Sequence, residues 1–299
     1  MNFSEHYYSL FVYRENNRIM KRKNIFIATI ISIFMLPLLS NAQEEIIIIE
    51  TFRKNAPERF DAPKTPSFTL VSKSGKYAMG IGGYVKGTMS MDFNGAINNA
   101  AYFTTSAIPV NPLPGNDKLL QYNVNQSNLS FNFVSLADKK SKFGAYINMN
   151  FSGNNYTPYI EDAYITYGGL LMGRTTSIFT DAAAIPPTID SEGPNGLTYK
   201  TNTVINYRSS WGERKRFSTG VGLEMPSTDF TVSDEQSVTN QFIPDFPSYI
   251  QYAWGKNNSS HIRLSSIIRN VNYRNNVQDK NNIISTYACQ LSGLINVKD

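Results

Sequence analysis

The chain has 299 residues, with 28 Lys and Arg against 23 Asp and Glu, two histidines, one cysteine and a mean hydropathy of −0.30. A lone Cys289 excludes an internal disulfide and a multi-cysteine zinc site, and His6 and His261 leave little for a histidine metal centre or a Ser-His-Asp triad. A net charge of +5, scattered along the chain, is too weak for a nucleic-acid surface.

Taken from the start, residues 20–42 read as a secretory signal peptide. Lys21-Arg22-Lys23 precedes an apolar stretch, 25–39, and the small-residue site Ser40-Asn41-Ala42. The stretch is short and broken by Pro37, whereas a spanning helix needs about 20 apolar residues. Met20 stands just before the basic run, so residues 1–19 read as a spurious extension from a misplaced start. Loss of this leader takes the net charge from +5 to +2. Residues 43–76 contain an isoleucine run at 46–49 and then a charged, Pro-containing stretch, and are expected to form a periplasmic N-terminal segment.

From Tyr77 the apolar period is 2, the signature of a half-buried strand. Tyr77, Met79, Ile81, Val85, Met89, Met91 and Phe93 alternate with Ala78, Gly80, Tyr84, Lys86, Thr88, Ser90 and Asp92. The same alternation recurs in Leu129, Phe131 and Phe133, in Phe143 to Phe151, and in Phe217, Val221, Leu223 and Met225. About ten such segments are expected: 77–93, 125–136, 142–152, 159–167, 170–177, 199–208, 216–226, 247–254, 260–273 and 283–297. Mostly long connections (94–124, 153–158, 178–198, 227–246, 274–282) alternate with short ones (137–141, 168–169, 209–215, 255–259). Antiparallel up-and-down strands with one elaborate end and one plain end are the layout of a transmembrane β-barrel. Tyr77, Phe93, Phe143, Phe151, Tyr159, Tyr167, Tyr199 and Tyr207 sit near segment ends, as interfacial girdles do. The competing fold is a secreted β-sandwich serving as a surface adhesin or binding protein. Its strands run to about 5–6 residues, shorter than most of these.

Several motifs resemble the DcaP-like porins: Ala163-Tyr164-Ile165, the run from Gly173 to Asp181, and Pro187-Thr188-Ile189-Asp190-Ser191-Glu192-Gly193-Pro194. Leu223-Glu224-Met225-Pro226, Pro244-Asp245-Phe246-Pro247 and the strand from His261 to Arg269 extend the resemblance over roughly 77–297. It implies a 16-stranded barrel in the outer membrane of a Gram-negative bacterium. It also implies a homotrimer and passage of small hydrophilic, often anionic, solutes such as dicarboxylates. With ten segments present, it implies a C-terminally truncated member. Departures from the family pattern fall at Asn150, Glu161-Asp162 and Arg174.

If the apolar faces point to lipid, the pore-lining charges are Lys86, Asp92, Asp162, Arg174, Lys200, Arg208, Glu224, Arg263 and Arg269. Six basic residues against three acidic ones make an anion-leaning lumen. An Arg or Lys facing lipid at the midplane would cost about 2–4 kcal/mol, which favours the inward assignment. The loop 178–198 carries Asp181, Asp190 and Glu192 and is expected to fold inward as a constriction. No cofactor, metal or nucleic acid is expected, and no catalytic residue. An outer-membrane hydrolase would have only His261 as its base, with no evident Ser-carboxylate partner.

Overall fold

The computed structural model describes residues 47–52, 66–99, 102–111, 114–115, 117–135, 143–186, 188, 191–226 and 231–297. All of them lie within one unit, Ile46–Asp299. The expected signal peptide and the extension before it fall outside the described residues.

Among the described residues fifteen antiparallel strands form, and there is no α-helix. In chain order they are β1 (Ile47–Phe52), β2 (Pro66–Val71), β3 (Tyr77–Tyr84), β4 (Thr88–Asp92), β5 (Leu119–Asn123), β6 (Asn128–Ser135), β7 (Phe143–Asn150) and β8 (Tyr159–Tyr167). There follow β9 (Leu170–Thr176), β10 (Thr201–Trp211), β11 (Phe217–Glu224), β12 (Gln236–Val238), β13 (Phe246–Trp254), β14 (Ser260–Asn275) and β15 (Lys280–Leu294). Thirteen of them make one sheet in near-sequential order, with β1 at one edge and β15 on the far side of β14. It is a single open sheet, not the two facing sheets of a sandwich. The remaining pair, β4 and β5, forms a separate two-stranded ribbon.

Period-2 patterning turns this sheet inside out relative to a soluble protein. Val221, Ile250, Leu264 and Ile268 are each about half exposed on one face. On the other, Asn148, Asn202, Asn206, Glu224 and Ser265 are buried. A large exposed apolar face marks a surface that meets something other than water. An outward apolar band around a polar interior is the barrel arrangement. Cys289, exposed, pairs in register with Ser266 on the apolar face.

One rim of the apolar face is aromatic. Tyr77 stacks on Phe133, and Phe133 meets Phe143 edge-on. Further along, Trp211, Phe217, Tyr252 and Trp254 form a continuous row. The row lies beside the five-residue turns 212–216 and 255–259, which Asn258 ties together by donating its side-chain amide to the Arg214 carbonyl.

Several expected boundaries are corrected. The sheet begins at Ile47 rather than Tyr77, because β2 pairs with β3 and β1 with β2. Segment 77–93 is interrupted at 85–87, where β3 leaves the main sheet and β4 continues as the ribbon with β5. The expected 94–124 connection therefore shortens, since 119–123 is strand. β14 and β15 run further than expected and meet across the four residues 276–279, so the last long connection is a tight turn. The short β12 inside 227–246 pairs with the end of β14.

Candidate functional site

The polar face has an acidic side and a basic side, and one loop lies on it. The acidic side is built on β7 to β9. A register shift between Asn148 and Met149 leaves Glu161 as an extra residue in β8. A bulge of this kind presents two consecutive side chains to one partner. Asn148 donates to Glu161 Oε2 and to Asp162 Oδ2, both at 3.1 Å. Asn150 donates to Glu161 Oε1 at 2.8 Å, and the Thr175 hydroxyl to Asp162 Oδ1 at 2.8 Å. Amide and hydroxyl donors thus hold two carboxylates side by side.

The basic side spans β10 to β14. Arg263 lies 3.8 Å from the centroid of the Tyr249 ring and donates Nε to Ser265 Oγ at 3.1 Å. The Tyr249 ring crosses Gly220, where a Cβ would come within 2.4 Å of Cε1, so only glycine admits it. Arg269 reaches Asp245 Oδ2 through Nε at 2.9 Å and Nη2 at 2.7 Å, and Asp245 is 0% exposed. Asp245 in turn exchanges two 2.9 Å backbone hydrogen bonds with Glu224. Lys200, immediately before β10, is close enough to act on the Glu224 charge. Arg208 differs from the other arginines of this side. It is exposed on the polar face opposite Gly220, and its guanidinium makes no hydrogen bond or ion pair with the described residues. It lies close enough to Arg263 for the two positive charges to repel.

The loop after β9 runs along this face. Glu224 Oε1 accepts from the Ile178 amide at 3.3 Å, while Arg263 donates to the Ile178 carbonyl. Ile178 is almost fully buried and packs over Gly222, beside the buried side chain of Asn206. Next comes a buried contact. Asp181 Oδ2 lies 2.9 Å from His261 Nε2, and Ser292 donates to the same oxygen at 2.7 Å. The side chains of Asp181 and His261 are 2% and 6% exposed. Burial pushes the Asp181 carboxyl up, but the hydrogen bonds from His261 and Ser292, with the positive fields of His261 and Arg263, outweigh it. The carboxyl is held below its ordinary value. Farther on, Ser191 donates to Gln126, in the turn before β6, at 3.1 Å, and Thr198 donates to Gln290 on β15. The loop is therefore tied to strands near both sides of the sheet.

Of the charges expected in the pore, Asp162, Arg208, Glu224, Arg263 and Arg269 lie on the polar face of the strands, with Lys200 beside them. Three do not. Arg174 pairs in register with Ala163 between Met172 and Thr176, on the apolar face. It is held at the rim by the Tyr159 hydroxyl at 2.7 Å and the Ile160 carbonyl. The run Leu170-Leu171-Met172 hides the parity that would have shown this. Lys86 falls in the break after β3, and Asp92 ends β4 on the separate ribbon. In the loop, Asp181 makes the contacts above, Glu192 is exposed, and Asp190 lies outside the described residues.

Glu161, Asp245 and His261 were not among the expected lining residues, and each belongs to the site. Glu161 had a readable signal, a carboxylate where alternation calls for an apolar side chain. With Glu161 and Asp245 added and Arg174, Lys86 and Asp92 removed, Lys200, Arg208, Arg263 and Arg269 oppose Glu161, Asp162, Glu224 and Asp245. The excess of basic residues disappears. His261 has serine and carboxylate neighbours, but Ser292 donates to Asp181 and not to the imidazole. A nucleophilic serine needs the base as its own partner.

No protein-family model and no curated protein matches the chain. In fold it is similar to the outer membrane channel DcaP of Acinetobacter baumannii, with a TM-score of 0.63 and 20% identity. The match covers 75% of this chain and 61% of that channel, so the chain spans about three-fifths of the channel's length.

Proposed function

We propose that the chain is a porin that lets small hydrophilic solutes cross the outer membrane of a Gram-negative bacterium. It is exported by the leader at 20–42 and assembled as a homotrimer. The observation that carries this reading is the two-faced sheet, apolar and exposed outside, with a charged polar face beneath a tethered loop. Fold similarity to an outer membrane channel supports it. The loop narrows the passage, and Arg208 offers the exposed cation that small anions, dicarboxylates among them, meet along the polar wall. Insertion in lipid requires partners for the free edge of β15, since unpaired backbone groups find no water there.

The test is channel formation. The protein refolded in detergent should show heat-modifiable gel mobility and an SDS-resistant oligomer, and should produce stepwise conductance in planar bilayers. A water-soluble monomer that leaves bilayers silent would overturn the reading.

A further inference from the structure

The loop 178–198 is anchored unevenly. Ile178 is held at its amide and carbonyl by Glu224 and Arg263, and farther along the contacts to the sheet are single hydrogen bonds, such as Ser191 to Gln126. Asp181 is different. One buried carboxylate oxygen receives both His261, the second residue of β14, and Ser292 on β15. Two strands of the wall and one loop thus meet at a single atom. The groups facing Asp181 are His261 and Arg263 from β14 and Ser292 from β15, and Glu224 on β11 holds the Ile178 amide three residues earlier.

We propose that Asp181, His261 and Ser292 form a latch that fixes the loop against β14 and β15, thereby setting the width of the passage, and that protonation of Asp181 releases it. These are positioning residues, and none needs to touch a solute. The sign follows from the contacts. Asp181 is held below its ordinary carboxylate value, so the latch contributes fully above that value and is lost as pH falls through the lowered one. Protonation of Asp181 relieves the burial cost of its charge but forfeits the larger attraction of His261, Ser292 and Arg263. The functional consequence rests on the porin reading. The latch itself does not.

The test uses the full chain in a Cys289→Ser background, because Cys289 is exposed and free. Spin labels at Ala183 in the loop and Ala288 on β15 report their separation as pH is lowered from about 7 through and below the ordinary carboxylate range. A single narrow distance at neutral pH should broaden in acid. Asp181→Asn, which mimics the protonated acid, should be broad throughout. Ser292→Ala removes a hydrogen bond from the charged form and should move the broadening to higher pH. The other carboxylates titrate in every variant, so the differences isolate Asp181. A narrow distance retained in Asp181→Asn, or an unmoved midpoint in Ser292→Ala, overturns the latch. Bilayer conductance is recorded in parallel and should rise as the distance broadens. Broadening without any conductance overturns the porin reading and leaves the latch standing. Conductance with an unchanging distance does the reverse.

Discussion

The acidic side at β7 to β9 and the basic side at β10 to β14 face the same space but use their charges differently. Glu161 and Asp162 are held by the neutral donors Asn148, Asn150 and Thr175. Such donors orient a carboxylate without cancelling its charge, so Asp162 keeps its field. On the basic side Arg269 is tied to Asp245 and Arg263 to Tyr249, Ser265 and the loop. Those guanidiniums hold the wall and the loop together. The number of charges on a face therefore says little about the field a solute meets, which depends on what each charge is already bonded to. On this polar face the basic side is structural, with Arg208 as its exception.

The largest expected effect follows from removing a structural arginine. Arg269→Ala leaves Asp245, 0% exposed, without its cation. Breaking a buried pair from one side costs about 3–5 kcal/mol, because the remaining charge is stranded. Urea unfolding in detergent micelles should show a loss of this order. Arg269 is itself one-third exposed, so the low end of that range is expected. A variant as stable as the parent would mean that Asp245 is not held by this pair, and the contrast between the two sides would fall. The double variant Arg269→Met with Asp245→Leu removes both charges and should recover much of the loss.

A smaller effect is expected from the acidic side. Glu161→Gln combined with Asp162→Asn keeps amide partners for Asn148 while removing both charges. One unit charge acting across about 4 Å of watery lumen is worth about 1 kcal/mol, so the pair is worth about 2 kcal/mol. Reversal potentials in a salt gradient should move towards anion preference, with little change in unfolding midpoint. Loss of stability without any shift in reversal potential would show that these carboxylates are structural as well.

Much of this arrangement was readable from the chain. Alternation, strict in β7 and β11 and interrupted in β10 and β14, assigns the faces, because a period of 2 leaves little freedom once one side is apolar. It correctly places Asp162, Glu224, Arg208, Arg263 and Arg269 opposite the apolar side chains. Where alternation fails, placement fails with it. The isoleucine run at 46–49 concealed β1 because it has no polar partner positions, and the break at 85–87 moved Lys86 and Asp92 off the main sheet. The bulge at Glu161 inserts one residue and reverses parity locally. The Asp181–His261 contact was invisible for a different reason. Its partners are 80 residues apart, and nothing in either segment's pattern encodes the other.

The last prediction concerns the exception itself. Arg208 stands opposite Gly220, is exposed, and has Arg263 nearby to add a repulsion that no described carboxylate relieves. Its removal should therefore do no structural harm, and surface substitutions of this kind usually stay within about 0.5 kcal/mol. Its electrostatic effect should still be that of one charge, about 1 kcal/mol at close approach and so about fivefold in the local preference for an anion. Arg208→Ala should move reversal potentials towards cation preference, opposite in sign to the acidic double variant and about half its size. Arg208→Lys should hold the parent value, because charge alone is at stake. If Arg208→Ala instead lowers the unfolding midpoint as Arg269→Ala does, then Arg208 is a strut like its neighbours, and the basic side offers a solute no exposed cation of its own.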